Sequence, residues 1–212
     1  MENVQDNKTR ITLKALELFM SYGIRSVSMD EIASALGISK KTIYQYYSDK
    51  DALVLEVVEV VLNKNCEECK ADREIAKNAV EEGFLAISQT AELFKRMNPL
   101  LIFDLKKYYP KAYKTYVDFK TNFLYEILKA SLKRGIKEGL FRPDINVEIA
   151  ARFRVESILI PFTPEFFNNI KTGIEEANLE LFYIFMFGVA SPKGYKLIEK
   201  YIKTKTKSIK ND

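Results

Sequence analysis

The sequence predicts an all-α protein, with an N-terminal three-helix head containing a helix-turn-helix and a larger helical body behind it. Three observations carry this expectation. Apolar residues recur at three- and four-residue spacing along nearly the whole chain, and alternating strand patterns are hard to find. Glycine and proline number 8 and 6 in 212 residues, and all six prolines, with Gly23, Gly37, Gly139 and Gly173, fall between the periodic segments. Three serines, Ser28, Ser39 and Ser48, each stand directly before a helix-forming run, so the short helices there are specified locally.

The elements follow in order. In the first helix Ile11, Ala15, Leu18, Phe19 and Tyr22 share one face while Lys8, Arg10, Lys14 and Glu17 take the other, and Gly23 ends it. Ser28 opens "MDEIASAL"; Glu31 completes a capping box, and Val27 and Ile32 are spaced as a hydrophobic staple. Gly37 supplies a turn, Ser39 caps "KKTIYQYY", and Ile38 and Ile43 can staple again. Helix, glycine turn and second helix outline a helix-turn-helix, with Met29, Ile32, Ala33, Leu36, Ile43 and Tyr47 as its expected core. Ser48 is expected to cap "DKDALVLEVVEVVL", with Asp51 in the box position. The valines between Leu53 and Leu62 disfavour an isolated helix, so packing must hold this one. Further helices are expected at about 68–96, 100–108, 111–138, 146–160, 174–190 and 193–206. Asn98-Pro99, Pro110, Gly139 with Pro143, Pro161 with Pro164, and Ser191-Pro192 punctuate them. The lysine-rich tail "KTKTKSIKND" reads as frayed.

Composition narrows the function. A net charge of +4 permits a nucleic-acid partner without demanding one, so the distribution of charge matters more than its total. The chain has no histidine, which removes the commonest general base and the commonest zinc ligand. Cys66 and Cys69 form a single CxxC with no second pair to complete a zinc site; they read as reduced, incidental thiols, with a redox sensor as the alternative. Without a phosphate-binding glycine loop or clustered acids at motif spacing, no catalytic residue, metal or cofactor is expected, and the chain does not read as an enzyme. The most apolar run, "LFYIFMFGVA", falls well short of the roughly 18 residues of a membrane span. The N-terminal "MENVQDNKTR" lacks the apolar core of a signal peptide, so a cytoplasmic protein with no membrane partner is expected.

The helix after Ser39 is the informative one. With Ile43 and Tyr47 facing inward, Lys40, Lys41, Thr42, Tyr44, Gln45 and Tyr46 project outward or along the flanks, and Lys50 lies nearby. No acidic residue stands between Glu31 and Asp49, so the face is expected to be basic. Such a face suits a DNA major groove. Lysines neutralise phosphates; tyrosine and serine hydroxyls and helix-start N–H groups bond phosphate oxygens. Gln45 has the donor–acceptor pair that reads an adenine edge, and the Thr42 methyl can meet a thymine methyl. The competing reading is a solvated amphipathic helix whose tyrosines half-bury on their neighbours.

"SMDEIASALGISKKTIYQYYSDKDAL" resembles the N-terminal DNA-binding region of the TetR family of bacterial transcriptional regulators, and the likeness extends over residues 8 to about 55. The resemblance implies a homodimer in which residues 1–52 form the DNA-binding domain and residues 53–212 a helical ligand-binding and dimerisation domain. It places Ser28, Lys40, Tyr44 and Lys50 at phosphates and Thr42, Gln45 and Tyr46 at or near base edges, with Ser39 and Lys41 completing the candidate set. Lys41 departs from the family's usual small residue and Tyr46 from a common histidine, so no relative's operator can be transferred. Dimerisation is expected on the last long helices, through Phe153, Leu181, Phe182 and Phe185. The family's ligand cavity would fall among Phe84, Phe103, Phe119 and Phe123, with Phe94, Tyr108 and Tyr125 nearby. The implied function is a ligand-responsive repressor of a palindromic double-stranded DNA operator, released by a small apolar or aromatic effector. The alternative is a helical small-molecule-binding protein with only non-specific DNA affinity.

Overall fold

The computed structural model describes residues 2–167 and 171–209, with side chains for 7–163, 165–166 and 171–204. The described residues are helical almost throughout: α1 (Glu2–Tyr22), α2 (Met29–Leu36), α3 (Lys40–Tyr44), α4 (Lys50–Ile75), α5 (Ala79–Lys95), α6 (Leu101–Tyr108) and α7 (Pro110–Asp118) come first. A π-helical segment, Phe119–Leu124, leads into α8 (Tyr125–Lys137) and α9 (Val147–Ser157); a 3₁₀ turn, Ile160–Phe162, then precedes α10 (Pro164–Phe167), α11 (Ile174–Val189) and α12 (Pro192–Ile209). α12 takes the expected frayed tail as far as Ile209 into helix, and residues 210–212 lie outside the described residues.

By packing, the chain divides into two compact units, residues 1–65 with 96–119 and residues 66–95 with 120–212. The expected boundary after residue 52 falls inside α4, and the packing unit that contains the head also takes in α6 and α7. The reason lies in the core of that unit. Ile11, Ala15, Phe19, Ile32, Ile43, Tyr47, Leu53 and Val54 cluster with Leu105, Tyr109 and Ala112, which come from α6, α7 and the residue between them. Two backbone-directed bonds join them: Asn98 N donates to the Met20 carbonyl at 2.7 Å, and Arg25 N donates to Asp104 Oδ2 at 2.9 Å.

Within α1 the expected inner face holds at Ile11, Ala15 and Phe19, but Tyr22 is 63% exposed. Thr12 takes a buried place instead, and its hydroxyl shares a 2.6 Å hydrogen bond with the phenol of Tyr47. That bond satisfies the one polar atom Tyr47 carries into the core.

The second unit is built on α5 against α11 and α8 against α9, with Val80, Phe84, Ile87, Leu132, Phe141, Val155, Phe182, Phe185, Met186 and Ile198 buried together. Here the sequence expectation of a helix at 68–96 is corrected: α4 runs on to Ile75 and the break comes at 76–78. Asn78 caps α5 by accepting from Glu81 N at 2.9 Å, and Glu138 accepts from Ala79 N at 2.8 Å. Arg134 braces the same turn, bonding the Ala76 carbonyl at 2.8 Å, Glu138 at 2.7 Å and the nearly buried Glu82 at 3.1 Å.

Candidate nucleic-acid interface

The head is assembled by caps. Ser28 Oγ accepts from Glu31 N at 3.1 Å and Glu31 Oε2 accepts from Ser28 N at 2.6 Å, so the capping box is complete. Those bonds hold the Glu31 carboxyl below the usual carboxylate range. Gly37 closes α2 in the left-handed region at φ 66°, a conformation that glycine adopts without penalty. Ser39 Oγ accepts from Thr42 N at 3.1 Å and shares a 2.9 Å bond with the Thr42 hydroxyl. α3 is shorter than the expected "KKTIYQYY": it ends at Tyr44, and Gln45 is its C-cap residue. Ile43 and Tyr47 anchor it, at 0% and 3% exposure.

Two caps or charges behave otherwise than the sequence suggests. α4 is capped by Asp49, which accepts from Ala52 N at 2.8 Å, while Ser48 merely donates to the Asp49 carboxylate at 3.0 Å. Asp49 outranks Ser48 because the helix begins one residue later than expected, at Lys50. Asp30 reaches over from α2 to pair with Lys40 at 2.7 Å, so the α3 face is less basic than a count between Glu31 and Asp49 implies. That hydrogen bond raises the Lys40 pKa.

Ser28, Ser39, Lys40, Lys41, Tyr44 and Gln45 are exposed; Thr42 is half-buried, and Tyr46 packs partly against the core. Lys50 does not join them. The resemblance implies a phosphate contact, but its ammonium turns inward, donating to the Ile24 carbonyl at 2.6 Å and lying 5.9 Å from the Phe19 ring centre and 5.8 Å from that of Tyr109. Burial lowers its pKa, with Asp104, Glu31 and Asp51 pulling the other way. Sequence reasoning also missed Arg25, whose exposed guanidinium stacks 5.0 Å over Tyr108 and bonds its hydroxyl at 3.1 Å. No local signal could have found that pair, since 83 residues separate the partners.

The expected ligand residues are divided between the two packing units, and the expected dimer residues all belong to the second. Phe84 is buried, with Phe182 edge-on at 5.4 Å and Tyr201 stacked at 5.2 Å. Phe103 is 46% exposed beneath Lys107, and Phe119 and Phe123 are half-buried; Phe103 and Phe119 belong to one packing unit, Phe84 and Phe123 to the other. Of the expected interface residues, Phe182 and Phe185 are buried in the core of their own unit because α11 packs on α5 and α9. Phe153, at 52% exposure, and the half-buried Leu181 reach the surface, and Ile149 and Ile184 are exposed on the same two helices. Burial pushes the Cys66 thiol up and the Cys69 thiol up to about 11, which lowers the thiolate share of both at neutral pH. No helix among the described residues is long and apolar enough to cross a membrane.

Residues 11–57 match the model of the bacterial regulatory proteins of the tetR family, the same stretch that forms the capped head. YvaF of Bacillus subtilis (strain 168), an uncharacterized HTH-type transcriptional regulator, is 31% identical over 164 residues, spanning 74% of this chain and 82% of its own. The chain belongs to the TetR family. It is a transcriptional regulator of that family, with the DNA-binding helix-turn-helix that defines it. The HTH-type transcriptional repressor KstR2 of Rhodococcus jostii (strain RHA1) is 26% identical over 69% of this chain and 73% of its own. A TetR-family regulator of Agrobacterium tumefaciens superposes with a TM-score of 0.74 at 16% identity, over 89% of this chain and 100% of its own, a likeness of fold.

Proposed function

We propose that this TetR-family regulator acts in the cytoplasm as a homodimeric, ligand-responsive repressor, with residues 1–52 reading a palindromic operator and residues 53–212 carrying the effector and dimer sites. α3 enters the major groove. Lys41, Tyr44 and, once it leaves Asp30, Lys40 meet phosphates, together with the helix starts at Ser28 and Ser39. Gln45 lies at a base edge, with Thr42 and Tyr46 beside it. The observation that carries this reading is the anchoring of α3. Ile43 and Tyr47 are buried while Lys41, Tyr44 and Gln45 all point outward from a helix start fixed by Ser39. A small apolar or aromatic effector in the second unit shifts the dimer away from the head spacing that fits the operator, and linkage makes DNA oppose the effector equally.

Selection of bound duplexes from a random pool at physiological salt tests this. A palindrome with half-site centres about 34–36 Å apart or a multiple of that is the expected product. Repeating the selection with Gln45→Ala should relax one or two operator positions. A uniform loss of affinity across sequences would refute the base-edge role.

The second reading, a helical small-molecule-binding protein with only non-specific DNA affinity, draws on the engagement of Lys40 by Asp30 and of Lys50 by Ile24. It predicts strong salt dependence with no enriched motif.

A further inference from the structure

The second packing unit buries an arginine and an asparagine that are short of partners. Arg154, on α9, is 6% exposed; its guanidinium donates to Ser157 Oγ at 3.3 Å and lies 5.5 Å from the centre of the Phe182 ring. Ser157 Oγ in turn donates to the Arg154 carbonyl at 2.9 Å, so this exchange stays within one helical turn. A guanidinium carries five N–H donors, and among the described residues no carboxylate pairs with it. Asn178, on α11, is 0% exposed, and neither its Oδ1 nor its Nδ2 has a hydrogen-bond partner. Asn178 precedes Phe182, the ring that the Arg154 guanidinium lies over, by one turn on the same side of α11.

An uncompensated buried charge and a buried amide with nothing to bond are each costly, and core packing explains neither. The last turn of α9 offers Arg154 the favourable end of a helix dipole, but it does nothing for Asn178. Both costs vanish if an anionic acceptor with room for a second donor enters between them.

We propose that Arg154 and Asn178 form the polar end of the effector site and take a carboxylate carried on an apolar tail. The carboxylate accepts two parallel N–H bonds from the guanidinium and one from the Asn178 amide. The tail lies along Phe182, with Phe84 edge-on at 5.4 Å behind it. Met186, buried one turn beyond Phe182, supplies a side chain flexible enough to repack around it. The inference rests on the ligand-responsive reading of this unit and gives its effector a chemical class.

The test uses the full chain without DNA, in thermal-shift and calorimetric titrations. The probes are octanoate, decanoate and 4-phenylbutyrate, each beside its own primary amide. At least one carboxylate should raise the wild-type melting temperature and bind at least about 30-fold more tightly than its amide. Arg154→Met should abolish that response and, without ligand, melt at or above the wild-type temperature, because a buried unpaired charge gives way to an apolar side chain of similar length. Asn178→Leu should fold equally well and weaken the same carboxylate about tenfold. A wild type that responds to none of the six compounds, or equally to acid and amide, overturns the proposal. So does an Arg154→Met variant that melts several degrees low, or an Asn178→Leu variant with unchanged affinity. Because DNA is absent from the assay, its failure leaves operator recognition standing, and a failure to select an operator leaves this site standing.

Discussion

Replacing Lys50 by methionine separates two roles that one lysine could play. In the structure its ammonium donates to the Ile24 carbonyl at 2.6 Å and thereby holds the segment that leads into the Ser28 cap. A hydrogen bond from a charged donor contributes about 1.5–3 kcal/mol, and the bare carbonyl left behind accounts for much of the loss. Methionine keeps the stem packed against Phe19 and Tyr109 and removes the desolvation of the ammonium, which offsets part of that. A net cost of about 1–2 kcal/mol remains, which for a chain of this size lowers the melting temperature by roughly 2–8 °C. Calorimetry measures that fall. A titration of operator affinity against salt measures the other role, since removing one lysine–phosphate pairing flattens the slope of log affinity against log salt by about 0.9. The inward geometry predicts a lower melting temperature with an unchanged slope. A variant as stable as the wild type whose slope has flattened would refute it and restore the phosphate pairing that the family resemblance implies.

Two further substitutions and a pH series check neighbouring inferences. Asp49→Ala should cost about 1 kcal/mol by removing the α4 cap, whereas Ser48→Ala should stay within about 0.5 kcal/mol; urea denaturation ranks them, and the reverse order would return the cap to Ser48. The Cys69 thiol, pushed up to about 11, should alkylate at pH 8 about 100-fold more slowly than an unperturbed thiol, and rapid labelling would favour a redox role. Its raised pKa also sets a sign. The unfolded chain gives up this proton near pH 9 and the folded chain near 11, so the contribution to stability is complete below about 9 and is lost as pH rises through 11. A Cys69→Ala variant should lack that alkaline component in its denaturation profile.

The head was legible because its instructions are short-range. Ser28 and Glu31, Gly37, Ser39 and Thr42 act within three residues of one another, and each appears in the structure where its spacing puts it. Instructions sent across the chain were not legible. The break at 76–78 depends on Glu138 and Arg134 bonding the turn, about 60 residues away in sequence, and no glycine or proline marks it. Lys40 looked free because its partner Asp30 belongs to the previous helix, and Lys50 looked like surface because the carbonyl it seeks is 26 residues back. On α11 apolar residues on more than one face pointed to burial in a core or an interface without saying which, and Phe182 and Phe185 lie in the core of their own unit. Arg154 and Asn178 escaped notice for the opposite reason: a lone arginine and a lone asparagine in helices read as solvent-facing until burial is known.

The same long-range logic limits how far the head can be treated as a module. Leu105 and Tyr109 are 2% and 8% exposed in the core that also holds Phe19, Ile43 and Leu53. Cutting the chain after Asn65 removes both, at about 1.5–3 kcal/mol each, with Ala112 besides. It also removes the Asn98–Met20 and Asp104–Arg25 bonds, worth about 1 kcal/mol apiece or somewhat more for the charged acceptor. The sum, about 5–9 kcal/mol, exceeds the roughly 3–5 kcal/mol that a single core of such size supplies. Residues 1–65 alone should therefore show no cooperative thermal transition by circular dichroism, despite well-capped helices. A cooperative melt from that fragment would mean that α6 and α7 merely rest on the head. If the fragment stays unfolded, the segment 96–119 is part of what makes the head a head. Asn98 and Asp104 then hold the end of α1 and the loop that positions Ser28.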